Sequence, residues 1–80
     1  MSEKCREALA CKIAHTLVRK NLPLNQQNLR KLRVQMYKNV REHCREIYKD
    51  GPERTACDVA AAIAAAEFTD VAEEFFGIRI

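Results

Sequence analysis

The sequence predicts an all-α protein of three to four helices in one domain over residues 1–80, on three observations. Apolar residues recur at helical spacing through every long segment. The segments are divided by short stretches carrying Pro23 and Gly51-Pro52, and nothing alternates as a strand would. The stretch Asn25–Lys49 holds neither Gly nor Pro and opens on a capping residue. It reads as one long central helix, with the other elements packed around it. Helices are expected at about 2–20, 26–49, 53–67 and 70–76.

The first helix opens on Ser2, with Glu3 suited to its first turn and Arg19 and Lys20 to its last. Cys5, Leu9, Ile13 and Leu17 recur every four residues and form its core stripe, flanked by Ala10, Ala14 and Val18. Asn21 offers a left-handed cap and Pro23 cannot continue the helix. Leu22 and Leu24 are expected to plug the end of the helix pair.

Asn25 caps the second helix. At about 100° per residue, Leu29, Leu32, Met36, Val40, His43 and Ile47 fall on one side and form the expected core stripe. Asn28, Gln35, Asn39, Glu42 and Glu46 lie to one side of that stripe. To the other lie Arg30, Lys31, Arg33, Lys38, Arg41, Arg45 and Lys49, interleaved with Val34, Tyr37, Cys44 and Tyr48. Arg30, Arg33, Tyr37, Lys38, Arg41, Arg45, Tyr48 and Lys49 are the predicted partner-binding residues. The plainer reading is a solvated face whose long stems cover apolar surface.

Pro52 suits the first position of the third helix, and Thr55-x-x-Asp58 resembles a capping box. The run Ala56–Ala66 is rich in alanine, a strong helix former whose small side chain lets another helix approach closely. Thr69 and Asp70 then read as the cap of a separate short helix ended by Gly77, and the break is the reading carried forward. The alternative is one helix running through, because Cys57, Ala61, Ala64, Phe68, Val71 and Phe75 keep helical spacing.

Size and composition predict a symmetric homodimer. Alanine supplies eleven residues, Trp none, and the large apolar side chains are few for a chain of 80 residues. A helix of about 24 residues is about 36 Å long, whereas an 80-residue globule has a radius of gyration of about 12 Å. Helix 2 or the alanine-rich helix 3 is the expected interface.

Charge is unevenly spread. Residues 1–49 carry twelve Lys or Arg and four Glu, a net +8; residues 50–80 carry seven acids and two Arg, a net −5. This points either to an electrostatic partner or to an acidic third helix lying across the basic second one and cancelling its field.

No signal peptide or membrane-spanning run is read in the sequence, and four cysteines are expected as reduced, partly buried thiols in a cytoplasmic protein. No metal or cofactor is expected. Cys11 and His15 share a helix face at i, i+4, but neither C-x-x-C nor H-x-x-x-H occurs to complete a zinc site with Cys5, His43, Cys44 or Cys57. Cys57, placed in the first turn of helix 3, is the most reactive thiol expected. The only serine is Ser2, and the two glycines stand apart, which removes a serine triad and a glycine-rich phosphate loop.

The expected function is therefore that of a small non-enzymatic regulatory, inhibitor or adaptor-type protein. It would bind a larger protein or nucleoprotein with an acidic or phosphate-rich surface through the basic-aromatic face of its long helix. Direct nucleic-acid binding, by a helix-turn-helix-like arrangement or by backbone contacts, is the alternative. A purely structural oligomerisation module is the third reading.

Overall fold

The computed structural model describes residues 2–80 as three helices, α1 Glu3–Arg19, α2 Gln26–Ile47 and α3 Pro52–Phe76. No strand occurs among the described residues. Local chemistry sets the ends. The Ser2 hydroxyl accepts from the Cys5 amide at 3.3 Å, and the Asn25 side chain from the Asn28 amide at 2.8 Å. Asn21 takes a left-handed conformation (φ 56°), and the Leu22 amide closes back on the Leu17 carbonyl at 2.9 Å. This is the helix ending in which the residue after the left-handed one reaches back five positions. Gly77 ends α3 in the same left-handed conformation (φ 67°), with the Ile78 amide reaching back six positions to the Ala72 carbonyl at 3.3 Å.

The expected break at 68–70 does not occur: the segments 53–67 and 70–76 are one helix. Thr69 is not a cap, because its hydroxyl donates to the Ala65 carbonyl one turn back at 3.2 Å. Phe68, Val71 and Ala72 are all buried on one side of the junction, and a break would expose part of that stripe. The capping box is also absent. Pro52 is the first helical residue, Gly51 gives no side-chain cap, and the Thr55 hydroxyl donates to the Gly51 carbonyl.

Nor is α2 the centre. α3 packs along α2 and against α1, while α1 and α2 approach each other only weakly. One core joins Ala10, Ile13 and Leu17 of α1, Leu29 of α2 and Phe68, Val71 and Ala72 of α3, with Leu22, Leu32, Met36, Phe76, Ile78 and Ile80 at its margin. α1 thus lies across the base of an antiparallel α2–α3 hairpin. An ion pair from Arg6 to Glu74 ties its start to the end of α3. Asn28 is buried there, donating to the Pro23 carbonyl at 2.8 Å. Gln26 donates to the Arg79 carbonyl at 2.8 Å, which holds the C-terminal residues against α2.

Beyond this base the hairpin is two helices thick. Its buried side chains there, among the described residues, are Cys44 and Ala61. Here the cysteine expectation is overturned. Cys44 and Cys57 form a disulfide, and the free thiols Cys5 and Cys11 are exposed rather than buried. The expectation of four reduced thiols, which rested on reading no signal peptide in the sequence, fails for Cys44 and Cys57. Their pairing depends on how α2 and α3 meet.

No helix among the described residues is long and apolar enough to cross a membrane. The disulfide closes a loop of 13 residues between thin elements with little core of their own. Chain entropy alone assigns such a bond about 3 kcal/mol. Reduction, or Cys57→Ser, should therefore lower Tm by more than about 10 °C. A melt indifferent to reductant, with four titratable thiols in the untreated protein, would show that the bond does not form.

Candidate basic groove on the helical hairpin

Packing against α3 divides the eight predicted residues into two sets. Arg33, Tyr37, Arg41 and Tyr48 are half-buried, whereas Arg30, Lys38, Arg45 and Lys49 are exposed. The side of α2 that meets α3 runs through Leu29, Arg33, Tyr37, Cys44 and Tyr48, roughly a quarter-turn from the expected stripe. His43 and Ile47, the last two members of that stripe, are exposed because α1 does not reach them.

The inward set has structural partners. The Arg33 guanidinium donates to the Thr69 hydroxyl at 2.8 Å and to the Ile80 carbonyl at 3.0 Å. Arg41 Nε lies 3.7 Å from Asp58 Oδ1, and the Arg41 guanidinium sits 5.7 Å from the centre of the Tyr37 ring. Asp58 is also approached by Arg54 Nε at 3.4 Å. Both approaches to Asp58 are ionic contacts without hydrogen-bond geometry, so this carboxylate is shared between two guanidiniums and fully bonded to neither. Arg54 in turn donates to the Lys49 carbonyl at 3.1 Å, joining the start of α3 to the end of the preceding turn.

The outward set remains free. Arg30, Lys31, Lys38, Arg45 and Lys49 form no ion pair among the described residues. The acidic third helix does lie along the basic second one, yet Arg41–Asp58 is the single ion pair recorded between them. Most of the α2 cations are left without an ion-pair partner among the described residues.

Between the helices runs a shallow groove of about 340 Å³, lined by Arg33, Val34, Tyr37, Ala62 and Ala65. Its floor is apolar, and Val34 stays 47% exposed. Val34 and Tyr37 also line an adjoining depression with Lys38, Arg41, Arg45 and one acid, Glu42. The site is thus an apolar strip bordered by cations along one side. Sequence reasoning missed Ala62 and Ala65, although the alanine run was the signal that something could approach α3 closely.

Cys11 and His15 are both exposed on α1, and no three His, Cys, Asp or Glu side chains among the described residues converge as a metal site would require. No protein family, curated protein or solved structure matches the chain.

The division of the arginines can be measured. Arg41→Glu sets a second carboxylate against Asp58 and should cost about 1 kcal/mol, a visible fall in Tm. Lys38→Glu with Arg45→Glu changes only exposed positions and should stay within about 0.5 kcal/mol of the wild type. Equal melting of the two variants would contradict the division.

Proposed function

We propose that this chain is a non-enzymatic binding protein, of the regulatory or adaptor kind, that docks an acidic segment of a larger protein on the α2–α3 groove. The observation that carries this reading is the line of unpaired cations, Arg30, Lys38 and Arg45, beside the apolar strip of Val34, Tyr37, Ala62 and Ala65. A strip of this kind suits an amphipathic helix, whose apolar side chains fill the groove while its carboxylates meet the rim. Electrostatic complementarity of this type governs encounter rate and partner choice. Arg on the rim adds bidentate contacts that Lys does not make.

Direct nucleic-acid binding rests on the same cations but leaves the apolar strip unused. The two readings separate on salt dependence and on the floor of the groove. An acidic amphipathic helical peptide should bind, and Val34→Asp should abolish that binding as completely as Lys38→Glu with Arg45→Glu. Random duplex DNA should bind weakly even at low salt. Tight duplex binding that falls linearly with log salt concentration and ignores Val34→Asp would transfer the function to nucleic acid.

The unit that docks is a homodimer in this reading. The chain exposes 5686 Å², close to 800 Å² more than the roughly 4,900 Å² expected of a compact monomer of 9.2 kDa. Its radius of gyration is 13.5 Å, against about 11.6 Å for a globule of this length. The excess is about the area each subunit contributes to a standard interface.

A further inference from the structure

The outer side of α3 repeats in steps of four and three residues. Ala56, Val59, Ile63 and Ala66 form a continuous seam, and the same steps carry on to Asp70 and Glu73. The seam faces away from Ala61, Phe68, Val71 and Ala72, the residues that α3 buries within the chain. Val59 is 52% exposed and Ile63 57%. Between Thr55 and Ala66 the one charged residue is Asp58, which is turned toward Arg41 and Arg54. A seam with this spacing, apolar and carried on a 25-residue helix, has the form of one half of a two-stranded coiled coil.

We infer that a second copy of this chain packs on this seam with its α3 antiparallel. The inference rests on the homodimer reading above and gives that dimer its surface and its sense. Charge decides the sense. At one end of the seam stand Asp70 and Glu73; at the other, α3 starts without a side-chain cap at Gly51, among Lys49, Asp50, Glu53 and Arg54, whose charges sum to zero. Antiparallel packing about position 61 sets Val59 against the partner's Ile63 and Ala56 against the partner's Ala66. It then brings Asp70 to the uncapped first turn of the partner's α3, where free amides and the helix dipole favour a carboxylate. Glu73 comes past the start of the partner's α3, toward the turn that holds Lys49 and Asp50. Its existing contact with Arg79, at 3.2 Å, is an exposed pair that holds it loosely.

Parallel packing would instead set Asp70 against Asp70 and Glu73 against Glu73. The seam's small residues at Ala56 and Ala66 meet each other in the antiparallel arrangement, flanking the larger Val59–Ile63 pairs at its centre. The basic groove lies on the α2 side of α3, so neither surface contains the residues that decide the other.

Sedimentation of the full chain at micromolar concentration, with exposed Cys5 and Cys11 blocked by alkylation, tests this. The wild type should run at twice 9.2 kDa. Ile63→Glu should weaken the dimer at least 100-fold, with helical circular dichroism retained, and the milder Val59→Ser should weaken it about tenfold. Asp70→Lys should weaken it several-fold at low salt and less at high salt, whereas Lys38→Glu with Arg45→Glu should leave it unchanged. A wild-type monomer would remove the homodimer reading and this surface together. A dimer indifferent to both Ile63→Glu and Val59→Ser would keep the homodimer and overturn the seam. A dimer tightened by Asp70→Lys would overturn the antiparallel sense.

Discussion

Two long helices with few large apolar side chains hold together only where their backbones come close, and in this protein that constraint acts on the α2–α3 pair. Ala61 is fully buried between them, and Cys44, equally buried, is bonded to Cys57. Both are small, so little apolar area is removed from water at the tip of the hairpin, and burial there contributes little at roughly 25 cal/mol per Å². The covalent bond and the ionic contacts of Asp58 with Arg41 and Arg54 supply what the packing lacks. At the base the balance is different. Leu29, Ile13, Leu17, Phe68 and Val71 form a conventional core, and α1 is the element that completes it.

The same close approach divides the charges of α2. Turning Cys44 toward α3 also turns Arg33, Tyr37, Arg41 and Tyr48 that way, because they share its side of the helix. Arginine tolerates the position: its stem lies along apolar surface while the guanidinium reaches the Thr69 hydroxyl or the Asp58 carboxylate. The cations farther round the helix are exposed and form no ion pair among the described residues. A helix that looks uniformly basic in sequence is therefore half scaffold and half free surface, and the free half borders the groove.

Features set by neighbouring residues were legible in the sequence. The Ser2 and Asn25 caps, the left-handed Asn21, the glycine ending at Gly77 and Pro52 at the start of α3 each depend on a few adjacent positions. Features set by how helices meet were not. Thr69 and Asp70 carry the local signature of a cap, but the buried stripe of Phe68, Val71 and Ala72 continues through them and keeps the helix whole. Asn28 looked like a flank of the α2 stripe, and its burial depends on the carbonyl that Pro23 happens to present. The core stripe of α2 was read correctly at Leu29, Leu32 and Met36, where α1 also packs. It failed at His43 and Ile47 because no element covers the far half of that side.

A hairpin only two helices thick has another consequence for where partners can bind. In a three-layered domain each long helix buries one side and exposes the opposite one. Here each helix of the tip buries only the narrow strip facing its neighbour, so two broad apolar-containing surfaces remain, one along the groove and one on the outer side of α3. They differ in charge. The groove is bordered by α2 cations, while the outer seam of α3 is neutral through its alanine run and acidic only toward Asp70 and Glu73. The proposed acidic ligand fits the groove, and the proposed second copy fits the seam. The charge asymmetry along the chain, basic through Lys49 and acidic beyond it, leaves these two surfaces with different charge.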